Sequence, residues 1–464
     1  MNQLPNILFF SRTIYTQLLP KLKSKEYNSY HVTINIREKT EVEALGGQVV
    51  GCFEEEFNQL EVAPIPDNFL QSSFHADRFM GWLTIQERQE ILGKAISFWR
   101  KILSERNYLA GIHETIAIEQ EEVFSLIMRE KGVEDLNFFV STFRDRFFWK
   151  PDPYSSSFPT EILNKSIINQ ESLTIAQNHI STIKQKGHKP FFIENPPERK
   201  GKSKLKHFAS KTKYQIKNEI GLIKKYTREE KKRDSVFYYN QLGTHFDYYE
   251  FIKNAFPQVK GYDRLQDYTQ QRLFLYPMHF EPESTLLYFD PNVSEQLFVL
   301  QQVAKQLPPD AVLLVKEHPV QPGYLLRDEY QDLRRKNSNI LFLQGELDSH
   351  PLLKQAEAII TICGSVGWEA LINNIPVILI GKVYYDKHPD VHKISQFTDI
   401  QQLLINKQLT IPKDEHTLQY ATQLVSQTYV GSPVNTALYN DLKNIENIKQ
   451  SIEQRIQIIE TVNK

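Results

Sequence analysis

Three short stretches carry the side chains that can do chemistry. In Val315-Lys316-Glu317-His318-Pro319, an apolar run stops abruptly and delivers an ammonium, a carboxylate and an imidazole to one strand end. Proline blocks continuation of a helix or ladder and so presents His318 at the edge, where it can donate to a phosphate or protonate a leaving group. A histidine that only bonds backbone within the turn is the plainer reading. Period-two alternation puts Lys316, not Glu317, on the side of His318, a partner for a mono- or diphosphate. In Thr361–Leu371, Gly364-Ser365-Val366-Gly367 makes a turn and opens a helix, whose free N–H groups and dipole attract an anion. Ser365 can cap that helix or bond a phosphate. Glu369 lies one turn later on the same face, where a carboxylate can accept two sugar hydroxyls. Third, Tyr276–Ser284 holds His279, Glu281 and Glu283 in a loop stiffened by two prolines. His279 and Glu283 are candidate catalytic groups for acid/base work or sugar orientation. A metal site is not expected there, because no DxD-type pair accompanies them.

These stretches need strand ends that are neighbours in a parallel sheet. From Gln271 onward strands are expected at 272–276, 311–315, 340–343, 358–361 and 376–380, alternating with helices at 292–307, 325–335, 351–355 and 365–372. Alternating β and α units with short loops imply a parallel sheet wrapped by helices, a Rossmann-like domain with its ligand at the strand ends. Gly381 and Tyr384-Tyr385-Asp386 then close one wall. The N-terminal half reads as α/β with extra helices: strands at 6–10, 30–35 and 48–52, and helices at 84–109, 118–130 and 159–185. The expected domains are an N-terminal α/β domain over 1–195, a basic helical connector over 196–265, a Rossmann-like domain for a phosphorylated ligand over 266–396 and a helical tail over 397–464.

Composition narrows the classes. With 464 residues the chain is long enough for two domains. Lys plus Arg number 55 against 56 Asp plus Glu, so bulk charge gives no reason to expect nucleic acid. No apolar run approaches the roughly 18 residues that cross a bilayer, and the N-terminus lacks a secretion-signal pattern. Cys52 and Cys363 cannot build a disulfide framework, and a reducing cytoplasm is the simplest home. Residues 199–233 carry 14 Lys/Arg against three Glu. A solvated connector, a patch for anionic acceptor or for the inner face of a membrane, and a nucleic-acid patch compete for that run. It lacks the aromatic platform of single-strand binders.

The order YPMHFEPES, LLVKEHP and TICGSVGWEALINNIPVILIG resembles bacterial capsule and surface-polysaccharide biosynthesis glycosyltransferases, among them enzymes that transfer 3-deoxy-manno-octulosonic acid (Kdo) from CMP-Kdo. The resemblance covers residues 271–390. It implies an α/β, GT-B-like fold in which two Rossmann-like domains face a cleft, with extra helices. It implies a nucleotide-sugar donor, preferably CMP-linked, a glycan or lipid-linked acceptor, and no cofactor. Under it His318 and Ser365 contact the nucleotide phosphate and Glu369 its ribose or base, with Lys316, Gly364, Val366 and Gly367 around them. Such an enzyme needs no metal, because helix dipole, lysine and histidine can stabilise a departing phosphate. The acceptor hydroxyl needs a base from the N-terminal domain. Asp77 and Glu114 are the candidates, each at an apparent loop-to-helix junction or beside a histidine (His75, His113). The rival readings are a UDP- or GDP-sugar transferase, a transferase of polyol phosphate from a CDP donor, and a non-catalytic assembly module.

Overall fold

The computed structural model describes residues 4–67, 76, 77, 83–166, 168–187, 261–268 and 270–462. The basic run 199–233 lies outside the described residues, as does His75. The described residues form two compact α/β units. One holds the described residues up to Ser156 and again from Gln427; the other holds the described residues between Ser157 and Ser426.

The first unit begins with β1 (Asn6–Phe10), four of whose five residues are fully buried. After β2 (Asn28–Thr33), a reciprocal cap between Asn35 and Glu38 opens helix α1 (Ile36–Ala44), and β3 (Val49–Cys52) follows. The same device, Thr84 with Glu87, opens α2 (Ile85–Glu105). Then come β4 (Tyr108–Glu114), α3 (Glu119–Lys131), β5 (Glu134–Val140) and β6 (Arg146–Lys150). Gly132, left-handed at φ 67°, stops α3 and turns the chain into β5. The sheet runs β6-β5-β4-β1-β2-β3, parallel except for β6, with a further antiparallel strand from the end of the chain beyond β6. The sequence reading lacks β4, β5 and β6. It also ran one helix to residue 109, where α2 stops at Glu105 and β4 begins at Tyr108.

The second unit starts before the expected boundary at 195. Helix α4 (Gln170–Lys186) packs against two helices near the end of this unit, Ser365–Ile372 and Asp414–Ser426, so the division falls at 156/157. The unit continues through β7 (Arg272–Pro277), α5 (Gln296–Ala304), β8 (Ala311–Lys316), α6 (Asp328–Lys336) and β9 (Ile340–Leu343). It is completed by β10 (Ala358–Thr361), α7 (Ser365–Ile372), β11 (Val377–Leu379), β12 (Val391–Lys393), α8 (Thr398–Ile405) and α9 (Asp414–Ser426). All six strands are parallel, in the order β12-β11-β10-β7-β8-β9. Every residue of β8 is buried, as a central parallel strand covered on both faces requires.

The tail does not stay together as one helical element. Its helices α8 and α9 belong to the second unit. The chain then rejoins the first as β13 (Thr428–Val430) and α10 (Leu442–Val462). Ile448, Ile452, Ile456 and Ile459, on one face of α10, share a core with Ile7, Phe9 and Trp149. None of the helices among the described residues is long and apolar enough to cross a membrane.

Burial holds several histidines neutral. The rings of His31 and His279 are pushed down to about 3 and those of His318 and His388 to about 4. The unfolded chain takes up these protons as pH falls through about 6.5, and the folded chain does not until far lower. Stability is therefore full above that pH and declines below it, by about 1.4 kcal/mol per pH unit for a ring as buried as His31 or His279. Burial raises the carboxyls of Glu38, Glu114 and Glu119 and opposes this loss as pH falls, so the histidine share is read as a difference: between pH 7 and pH 5, His31→Gln is expected to lose less stability than the unaltered protein. An equal loss in both would contradict a neutral, buried His31 ring.

Candidate functional site

In the second sheet the strand order reverses between β7 and β10, so their carboxyl ends diverge toward opposite neighbours and open a crevice. His279 stands two residues beyond β7, at that crevice. Its backbone is clamped by Gln296 of α5: the His279 amide donates to Oε1 at 2.7 Å and its carbonyl accepts from Nε2 at 3.2 Å. The ring leans on the segment after β10, where the Cys363 amide donates to Nε2 at 3.4 Å. These partners place the ring proton on Nδ1, which lies 3.8 Å from Glu283 and 4.0 Å from the Cys363 sulfur. Burial, with nearby His318 second, holds the imidazole down to about 3. His279 is thus a hydrogen-bond donor and not a proton-loaded acid.

The turn into α7 departs from expectation in one respect. Gly364, not Ser365, is the N-cap, and no side-chain oxygen caps the helix; Ser365 is its first residue. The Gly364 amide donates to Thr361 Oγ1 at 3.0 Å, and its carbonyl accepts the Tyr385 hydroxyl. That hydroxyl passes so close to Gly367 that a Cβ there would overlap it, which explains a glycine inside a short helix. Helix geometry leaves the Ser365 and Val366 amides without intrahelical acceptors, and both residues are half-buried. Tyr385 was expected only as part of a wall; its hydroxyl bond to the cap is the feature sequence reasoning missed.

His318 follows β8 and is half-buried. Its ring meets Phe280 edge-on with centroids 5.9 Å apart, and its Nδ1 accepts from the Val320 amide at 3.4 Å. Burial first and Lys316 second push its pKa down. Lys316 itself is buried, with its ammonium 2.9 Å from the Gly345 carbonyl and 3.5 Å from that of Glu317, so it fastens the loop after β9. Glu281 is likewise structural, accepting from Tyr324, Tyr330 and the Gln296 amide. Glu369 is buried and pairs with His350, Oε1 to Nδ1 at 3.1 Å. His350 had no motif to reveal it, since it sits on a separate short helical turn, Ser349–Leu353. Thus His279, Cys363 and Gly364 come together, His318 lies within electrostatic reach, and Glu369 holds a partner of its own.

Asp77 and Glu114 belong to the first unit. Asp77 is buried and accepts the Glu119 amide at 2.8 Å, so it caps α3, whose own N-cap, Ile118, has no side-chain oxygen. That work, at the positive end of a helix dipole, leaves it poorly placed as a free base. Glu114 is the last residue of β4 and lies 3.7 Å from Arg12.

A family model described as capsule polysaccharide biosynthesis protein matches residues 193–433, a span that takes in the whole second sheet. The chain belongs to this family. Among curated relatives, the capsule polysaccharide modification protein LipB of Neisseria meningitidis serogroup A is 30% identical over 124 residues, 25% of this chain and 29% of the relative. The capsule polysaccharide export protein KpsS of Escherichia coli is 30% identical over 95 residues, 19% of this chain and 23% of that one. The chain therefore spans less than a third of the length of the curated relatives it matches. Among solved structures, the Thermosulfurimonas dismutans KpsC beta Kdo 2,7 transferase superposes over 88% of this chain and 93% of its own, with TM-score 0.41 and 13% identity.

Proposed function

We propose that this family member is a glycosyltransferase of capsule or surface-polysaccharide assembly, taking a sugar from a nucleotide donor, CMP-linked by preference and Kdo-like by motif resemblance. The acceptor is a glycan or lipid-linked glycan. The observation that carries the reading is the meeting of His279 with the opening turn of α7 at the β7/β10 switch point. A donor phosphate there would take hydrogen bonds from the Ser365 hydroxyl and the first amides of α7, with His279 Nδ1–H and His318 beside it. In this role the histidines stabilise charge on the departing phosphate as neutral donors, and no metal is required of them. Glu369, oriented by His350, would take the ribose hydroxyls or the base. Glu114 of the first unit would accept the proton of the acceptor hydroxyl. Work at the inner face of the membrane, through the run 199–233, is part of the same proposal.

Calorimetric titration with CMP, CDP, UDP and GDP, in EDTA and then in magnesium, tests it. CMP is expected to bind without metal, and His318→Ala and Ser365→Ala are each expected to weaken it at least about tenfold, the loss of one charge-assisted hydrogen bond. Preference for a diphosphate would move the donor to a UDP-, GDP- or CDP-linked group. Absence of binding to all four would overturn the donor site and favour a non-catalytic assembly module.

A further inference from the structure

The first unit has a switch point of its own, between β1 and β4. Arg12 lies just beyond β1, and Glu114 ends β4. Between them and α3 runs a chain of charges. Arg12 Nε meets Glu121 Oε1 at 2.6 Å, and its Nη2 reaches Glu114 Oε2 only at 3.7 Å. Glu121 is almost fully buried, and its second oxygen accepts the Ala117 amide at 2.7 Å. Both oxygens of Glu121 are thereby engaged, and Arg12 is buried against it. Glu114 is the least buried of the trio, its side chain retaining 29% of its accessibility.

We propose that Arg12 and Glu121 are positioning residues for Glu114: their locked pair holds its carboxyl at the β1/β4 switch point and leaves it only a share of the guanidinium's charge. This rests on the reading of Glu114 as the acceptor-side base. In that step the acceptor oxygen bonds to the anomeric carbon and the carbon–phosphate oxygen bond breaks, its electron pair leaving with the nucleotide. The hydroxyl proton passes to Glu114. A carboxylate fully paired with arginine is too weak a base for this, and one buried without a cation stays protonated. Sharing one guanidinium between two carboxylates gives the intermediate case.

The groups facing Glu114 agree. Burial is the largest influence and raises its pKa; Arg12 opposes it, Glu121 raises it, and the Tyr15 hydroxyl and His113 lower it, leaving the carboxyl at about 7. Tyr439, ahead of α10, also faces it. A base near neutral pH has the proton affinity that general-base catalysis favours.

The test is carbon-13 NMR titration of the full chain labelled at glutamate carboxyls, with the Glu114 signal identified by its loss in Glu114→Gln. In Glu121→Gln, which preserves shape and the Ala117 amide bond, Arg12 is freed for Glu114. The midpoint is then expected to fall by about one pH unit. Arg12→Gln is expected to raise it, and Arg12→Lys to keep it near that of the unaltered protein. In transfer assays the acid limb of kcat is expected to move with the midpoint while donor KM stays fixed. A midpoint unmoved by both Glu121→Gln and Arg12→Gln would overturn the pairing. Full turnover by Glu114→Gln would instead overturn the base assignment beneath it, whatever the midpoints do.

Discussion

His279→Ala is expected to lower turnover about 100-fold, the usual cost of removing one preorganised donor to a developing oxyanion. The reason lies in how rigidly the ring is held. Gln296 fixes both backbone groups of His279, and the Cys363 amide fixes the face of the ring that meets the α7 turn. The remaining N–H is therefore aimed before any ligand arrives, and preorganisation of this kind spares the reorganisation that a mobile donor would need. Steady-state kinetics with CMP-Kdo as donor would measure the loss, with circular dichroism to check folding. His279→Gln, which keeps an amide donor near the same place, is expected to recover part of it. The pH profile adds a second, independent check. With its pKa held down to about 3, His279 stays neutral from pH 5 upward, so kcat/KM is expected to show no limb from this ring near 6.5. A limb there that disappears in His279→Ala would mean that the ring titrates in the free enzyme and acts as an acid after all.

The second unit was legible in the sequence because five of its six strands are apolar runs ended by turn residues; β12, Val391-His392-Lys393, is short, polar and partly exposed, and was not read. Ala311–Lys316 and Ala358–Thr361 are buried along their whole length, and runs like these stand out without any alternation. The turn at Gly364-Ser365 was legible for the same reason, though the cap position was not, since either residue can occupy it. The middle strands of the first unit were hidden by their own packing. Tyr108–Glu114 contains Ala110 and Gly111, both poor strand formers. A Cβ at Gly111 would overlap Met128 and Phe124, so the close seating of α3 on the sheet demands the residue type that conceals the strand. The return of the chain to the first unit at Gln427 could not be read either. An amphipathic helix such as α10 announces that one face is buried and does not say against which sheet. Long-range partners stayed out of sight in the same way. Arg12 is 109 residues from Glu121, and Tyr385 is 21 residues from the Gly364 carbonyl it holds.

Trp368→Ala is expected to cost about 3–5 kcal/mol, the range for deleting a large aromatic from a packed core, and with it the proposed donor site. Trp368 is the fourth residue of α7 and has no solvent exposure. Its ring stacks on Tyr385 with centroids 6.3 Å apart at 28°, and it meets Tyr384, Tyr420 and His388 at steeper angles. Its indole N–H donates to His179 Nε2 at 3.0 Å, tying α7 to α4. Tyr385 is thus held by Trp368 on one side while its hydroxyl holds Gly364 on the other. Removing the indole frees Tyr385 to move, and the first turn of α7 loses the bond that aims its amides. The prediction separates from a general loss of stability through Trp368→Phe, which keeps most of the ring contact and forfeits the bond to His179, at about 1 kcal/mol for that bond. If stability alone governs, Trp368→Phe and Trp368→Ala will bind CMP equally well at a temperature where both are folded. If the indole seats the turn through Tyr385, the alanine variant will bind far more weakly at that temperature, because a folded sheet with a misaimed helix start has no anion site to offer.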